Sequence, residues 1–182
     1  MKIIHIVLTG ERASGKDEFA SYVAPKYHFR KVRFSDEIAQ LATNLKIISH
    51  DDVSKKSKLQ YAGVQLREKY GAEFYTAEVF RKSFDDNSII IGLRDEEELN
   101  FLKTKLPNLV TMGIISDFEN RFNRAKQTGI IKTKRDLEIL DSHQAEQQIN
   151  SLVGQANYKI TNNGTIEELH KEIDKVMSEI LK

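Results

Sequence analysis

Residues Gly10, Glu11, Arg12, Ala13, Ser14, Gly15, Lys16 and Asp17 run in the order G-x-x-x-x-G-K-D. Glycines at the two ends let a backbone curl until successive N–H groups point at one anion. A helix opening there adds its positive end, and a lysine beside the second glycine reaches the outer phosphates. The chemistry predicted is therefore binding of a nucleotide's phosphates by Gly10, Arg12, Ala13, Ser14, Gly15, Lys16 and Asp17. The plain alternative is a glycine-containing turn between a strand and a helix. What separates the two is context, because the motif counts only when a buried strand precedes it and a helix follows.

The sequence supplies that context. Ile3 to Leu8 is a β-branched apolar run ending at Thr9-Gly10, the pattern of a strand buried on both faces. Residues 15–24 read as a helix closed by Pro25, followed by a short strand from His28 to Phe34. Ser35 is the expected N-cap of the next helix, with Asp36 and Glu37 at its positive end. Residues 55–84 have helical spacing, broken near Gly71. Further strands are expected at Ser88–Leu93, Leu109–Ile115 and Ala156–Thr161. A helix opens in the acidic run Asp95–Glu98. Ser116 with Glu119, and Thr165 with Glu168, read as capping boxes. Strands alternating with helices predict a three-layer α/β fold with a five-stranded parallel sheet, in one domain over residues 1–182.

Composition removes whole classes of function. The 182 residues carry 28 Lys and Arg against 27 Asp and Glu, a net charge of +1, so a generally basic nucleic-acid binder is excluded and no nucleic-acid partner is expected. The absence of Cys excludes disulfides, thiolate metal sites and cysteine nucleophiles. No apolar run approaches the roughly 20 residues of a membrane span, and the N-terminus lacks the features of a signal peptide. The expectation is a cytoplasmic protein without a membrane partner.

With G-x-x-x-S-G-K-D in place, several shorter pieces acquire meaning. They are Ser35-Asp36-Glu37-Ile38, Lys58-Leu59-Gln60, Leu66 to Gly71, Ile91-Gly92-Leu93-Arg94 with Glu97, and Asp141-x-His143-x-x-Glu146. Ala156 to Ile160 and Asn163-Gly164 complete the set. Together they resemble the nucleoside-monophosphate-kinase-like branch of P-loop proteins over nearly the whole chain. The similarity is to dephospho-coenzyme A kinases and their archaeal relatives, phage deoxynucleoside monophosphate kinases and animal-type phosphomevalonate kinase. The resemblance implies a helical acceptor-binding insert at about residues 36–84 and a lid at about 121–135 that closes on the donor phosphates. It also implies ATP as donor with Mg²⁺. Relatives often end the third strand with an Asp that supports Mg²⁺, where this chain has Ile91.

Phosphoryl transfer needs positive charge arranged around oxygens more than covalent chemistry. Six basic residues and no acid lie between Arg121 and Arg135. Arg121 and Arg124 share a helix face and read either as lid residues or as a solvated basic surface. Arg94, just after a strand, suits two-pronged capture of an acceptor phosphate; its alternative is an ion pair with a neighbouring acid. Arg67 reads as an acceptor contact or an ordinary helix residue; Asp36 reads as a group for acceptor hydroxyls or Mg²⁺, or as a helix-start acid. Asp17 replaces the usual Ser or Thr and is either a carboxylate ligand for Mg²⁺ or a helix-start acid. Lys16, Arg94, Arg121 and Arg124 are thus the expected catalytic set. Asp141, His143 and Glu146 lack a full metal-ligand set and read as surface or rim residues. The expectation is transfer from ATP to a small acceptor, first a (deoxy)nucleoside monophosphate and second dephospho-coenzyme A. The rival from another class is a nucleotide-binding regulatory protein with little turnover.

Overall fold

A computed structural model of the chain describes residues 2–53, 56–129, 131–142 and 144–182. His143 therefore lies outside the described residues. The strands are β1 (His5–Thr9), β2 (Arg30–Arg33), β3 (Ser88–Ile91), β4 (Leu109–Ile115) and β5 (Tyr158–Thr161). They form one sheet in the order β2-β3-β1-β4-β5, with every pairing parallel. The helices are α1 (Lys16–Tyr27), α2 (Phe34–Asn44), α3 (Lys56–Tyr70), α4 (Ala72–Ser83), α5 (Glu96–Lys105), α6 (Phe118–Gln127), α7 (Lys134–Asp141), α8 (Gln144–Gly154) and α9 (Ile166–Ile180).

The period-2 alternation of the central strands builds both layers. Ile6 and Leu8 of β1, with Ile89 and Ile91 of β3, pack with Phe19 of α1 and Ile173 of α9. Val7 and Ile90 face the other way, against Phe34, Leu66, Val79, Leu99 and Leu152. A parallel sheet covered on both faces demands such apolar strands. A third, small cluster joins Ala125, Ile131 and Leu137 with Phe118, Phe122, Leu140 and Ala13 of the phosphate loop.

Several expected boundaries shift, each for a local reason. Pro25 does not close α1; it sits inside the last turn, and the helix ends at His28 in the left-handed region. Ser35 is not the N-cap of α2. The helix starts at Phe34, whose ring is buried, with Arg33 at the cap and no side-chain bond there. The Ser116–Glu119 capping box is absent because the Ser116 hydroxyl donates instead to the Asn162 carbonyl at 2.8 Å. The strand at 88–93 stops at Ile91, where Gly92 turns the chain. The break at Gly71, the acidic opening of α5 on Asp95 and the Thr165–Glu168 capping box all stand as read.

Candidate functional site

The carboxyl ends of the five parallel strands meet the phosphate loop at the sheet's centre. There β1 runs out at Thr9, and α1 begins at Lys16. Gly10 has φ +148°, and a Cβ on it would lie 2.4 Å from the Ile114 carbonyl of β4. Gly15 has φ +112°, and a Cβ there would meet the Asn162 amide nitrogen at 2.3 Å. Both positions thus require glycine for backbone conformation and for room. Ala13 also adopts a positive φ of 59°, which holds the loop's curl without a third glycine. The Lys16 ammonium bends back over the loop and donates to the carbonyls of Gly10 at 2.6 Å and Glu11 at 2.7 Å. Its charge is therefore held across the loop.

The loop is clasped from behind by residues distant in sequence. Asn162, buried at the end of β5, donates its side-chain amide to the Ser14 carbonyl at 2.8 Å. Arg124 donates to the Asn162 backbone carbonyl at 2.8 Å and to the Ser116 hydroxyl at 2.9 Å, and reaches the Ala13 carbonyl at 3.5 Å. Burial draws the Arg124 guanidinium below its ordinary range. Arg121, only 4% exposed, donates to both carboxylate oxygens of Asp141 at 2.8 and 3.2 Å. It also donates to the Arg12 carbonyl at 3.3 Å, and its Nε lies 3.2 Å from the Glu11 carboxylate. The two arginines of the expected lid thus sit in a packed helix, tied to the loop's backbone. Asp141, read as a rim residue, is the carboxylate that holds Arg121.

Around the end of β3, Arg67 and the backbone of Arg94 are engaged with acids. Arg67 of α3 pairs with Asp95, and with Glu97 at 3.1 Å; the Asp95 carboxylate holds its guanidinium well above the ordinary range. The ion-pair reading of Arg67 is the one this structure displays. The Arg94 backbone N–H donates to Glu98 at 2.7 Å, and the Tyr75 hydroxyl of α4 donates to the same carboxylate at 2.8 Å. Glu98 is 3% exposed. Burial and the neighbouring Asp95 charge push its carboxyl up to about 7, against the opposing pull of the Arg94, Tyr75 and Arg67 contacts. Tyr75 is in turn raised by burial and by Glu98. Arg67, Tyr75, Asp95 and Glu98 thereby tie α3 and α4 to the loop that carries Arg94.

Asp36 lies exposed in the first turn of α2, its carboxylate accepting from Ser35 at 3.2 Å. The Asp17 side chain is 73% exposed and accepts from Arg33, at the end of β2, at 2.6 Å. Ile91 is buried and offers no oxygen. A cleft of about 610 Å³ is lined by Arg67, Asp95, Glu96, Glu97, Gln148 and Ser151. Its three carboxylates suit it poorly to a phosphate, and no phosphate-loop residue borders it.

Sequence reasoning missed Arg33, Glu98 and Asn162. The signal for Arg33 and Asn162 was position, since both stand at or just beyond carboxyl ends of strands, where ligands of open α/β sheets gather. Nothing in the run of four acids distinguished Glu98 from its solvated neighbours.

The fold is shared with solved shikimate kinases. Shikimate kinase from Aquifex aeolicus superposes with a TM-score of 0.55 at 20% identity, covering 97% of each chain. Shikimate kinase from Bacteroides thetaiotaomicron gives 0.60 at 13% identity, covering 96% of this chain and 98% of that one. In sequence, the chain is 28% identical over 178 residues to a UPF0200 protein of Thermoplasma acidophilum, covering 96% of this chain and 95% of the relative. A UPF0200 protein of Thermococcus kodakarensis is 24% identical over 188 residues, covering 97% of each. No family model matches the chain.

Proposed function

We propose that this chain is a small-molecule kinase that moves the terminal phosphoryl group of ATP to a (deoxy)nucleoside monophosphate. The observation that carries the reading is the clasped phosphate loop at the carboxyl end of β1. There the Lys16 ammonium, at the start of α1, bends over the turn from Gly10 to Gly15, which Asn162 holds from behind. Lys16 would leave its loop carbonyls for the outer phosphates, exchanging two neutral acceptors for a charged one. Arg121 and Arg124 hold the loop rigid through its carbonyls, so little reorganisation accompanies binding.

Asp17 and Mg²⁺ fit one another in type. Mg²⁺ prefers oxygen donors and is commonly held by one or two carboxylates with substrate phosphates and water. Asp17 offers an exposed carboxylate directly after Lys16. Among the described residues, no group of three or more His, Cys, Asp or Glu could hold a metal ion. When bound, Mg²⁺ would neutralise charge on the phosphate oxygens. Arg94 would grip an anionic group on the acceptor, and Asp36 would accept from acceptor hydroxyls. The nucleoside monophosphate is favoured by the resemblance of Ser35–Ile38 and Ile91–Arg94 to the phage deoxynucleoside monophosphate kinases, shared with the archaeal relatives of dephospho-coenzyme A kinases; dephospho-coenzyme A is the second acceptor. A cytoplasmic setting, with neither nucleic acid nor membrane as partner, goes with this reading. Among the described residues, no helix is long and apolar enough to cross a membrane.

A second reading has its own support. Arg67 is bound by two carboxylates, Asp17 is bound by Arg33, and Ile91 supplies no ligand. Those features favour a nucleotide-binding protein with little turnover. A phosphoryl-transfer screen with ATP and Mg²⁺ separates the two. It should offer all ribo- and deoxynucleoside monophosphates, dephospho-coenzyme A, phosphomevalonate and shikimate. Transfer to a nucleoside monophosphate supports the kinase reading. Tight ATP binding without transfer to any of these acceptors would select the regulatory one.

A further inference from the structure

Arg33 and Asp17 come from different elements and meet at the edge of the phosphate loop. Arg33 is the last residue of β2, in register with Ile91 of β3. Its guanidinium reaches α1 and donates from Nη1 to Asp17 Oδ1 at 2.6 Å. Asp17 follows Lys16 immediately, so a full negative charge stands one residue from the ammonium that meets the phosphates. A carboxylate there repels a nucleotide polyanion unless something offsets it. The structure provides that something from the neighbouring strand. A cation drawn to this carboxylate must share it with the Arg33 guanidinium, whose positive charge opposes a second cation there.

We propose that Arg33 is a positioning residue that governs Asp17. Without a metal it neutralises the carboxylate and lets ATP approach; with Mg²⁺ present it competes for the same carboxylate and so raises the Mg²⁺ concentration the site requires. The proposal rests on the nucleotide-binding reading of the loop and adds a control on its metal dependence. The Asp17 side chain is 73% exposed and that of Arg33 34%, which places their pair in the range of solvated ion pairs, about 0.2–1 kcal/mol. Converted at about 1.4 kcal/mol per decade, removing the competitor should lower the half-saturating Mg²⁺ concentration roughly 1.5- to 5-fold.

The test is binding of a fluorescent ATP analogue, titrated first in EDTA and then at graded Mg²⁺. The proteins are wild type, Arg33→Ala, Arg33→Gln, Asp17→Asn and the Arg33→Ala/Asp17→Asn double variant, each checked for a native melt. In EDTA, both Arg33 variants should bind the analogue several-fold more weakly and Asp17→Asn more tightly. The double variant should match Asp17→Asn, because Arg33 has nothing left to offset. With Mg²⁺, the Arg33 variants should reach half-saturation at the lower concentration given above. Equal weakening by Arg33→Ala in both the wild-type and Asp17→Asn backgrounds would overturn the proposal, since Arg33 would then contact the nucleotide itself. Unchanged curves in all Arg33 variants would also overturn it, reducing the pair to a surface bridge. In either case the nucleotide reading survives. Failure of the wild-type protein to bind the analogue would instead remove that reading and this proposal together.

Discussion

Replacing Glu98 with Gln should make the protein more stable at pH 8 and leave it unchanged near pH 4.5. Glu98 is buried beneath the β3–α5 loop, with its carboxyl pushed up to about 7 from an ordinary 4.5. Burial is the larger cause and the Asp95 charge the next. The native state therefore binds a proton more tightly than the unfolded chain does. Between pH 4.5 and 7 its stability falls as pH rises, and above 7 the whole penalty is in place. At about 1.4 kcal/mol for each pH unit of that interval, the penalty amounts to roughly 3 kcal/mol. Gln has the same shape, and its amide oxygen still accepts from the Arg94 N–H, while its NH₂ can donate to the Tyr75 oxygen once that hydroxyl rotates. The variant thus behaves as a permanently protonated Glu98. Urea denaturation from pH 4.5 to 8 should show two stability curves that meet at the acid end. They should separate by about 2–3 kcal/mol at pH 8, or roughly 4–12 °C in Tm for a chain of this size. Parallel curves, or a variant less stable than wild type at pH 8, would refute the assignment of a proton-hungry buried carboxylate.

Lys16→Ala should weaken ATP binding and transfer together, with a loss of about 2–4 kcal/mol in transition-state stabilisation, read from kcat/KM once an acceptor is known; circular dichroism should stay native. Asp141→Ala leaves the Arg121 guanidinium, 4% exposed, without its two-pronged partner. It should cost about 2–3 kcal/mol in urea denaturation, somewhat less than a fully buried pair because Asp141 is 20% exposed. Asn162→Ala removes the donor to the Ser14 carbonyl and should cost about 1–3 kcal/mol, with a larger fractional loss in ATP affinity than any surface substitution on α9. Arg94→Lys should raise acceptor KM and leave ATP affinity untouched, since an ammonium cannot form two parallel bonds; unchanged acceptor kinetics would assign Arg94 to structure.

The centre of the sheet was legible because β1, β3 and β4 are apolar or β-branched runs, and burial on both faces leaves few other uses for Ile-Ile-Ile or Ile-Val-Leu; the edge strands β2 and β5 carry one buried residue each and a weaker pattern. The phosphate loop was legible for a different reason. Its glycines answer to backbone geometry within eight residues, so the constraint is local. Arg121 shows where such reading stops. The charge run identified it as basic, yet its partners are Glu11, Arg12 and Asp141, and no spacing rule links residues brought together by β4 and the helices after it. Arg67 and Arg94 are adjacent in function on the sequence reading. In the structure, the first is held by Asp95 and Glu97, while the second rides on a loop pinned by Glu98. Ser116 misled because its hydroxyl had a stronger claim from the Asn162 carbonyl than from its own helix.

The central position of β1 has a consequence for the order in which the chain acquires its site. Both neighbours of β1 come late. His5 pairs beside Ser88 on one side and beside Leu109 on the other. The Ser14 carbonyl waits longer still, for the Asn162 amide, 148 residues downstream. During synthesis at about 5–20 residues per second, the strand that leads into the phosphate loop remains unpaired for roughly 4–20 seconds, and the loop is clasped only once Asn162 has emerged. Loop closures of that span are slow to form. The nascent chain thus presents Ile6, Val7 and Leu8 to the surroundings before β3 or β4 can pair with them. The clasped geometry of the loop from Gly10 to Lys16 should consequently be among the last features to appear on refolding, after the helices have formed and the sheet has closed.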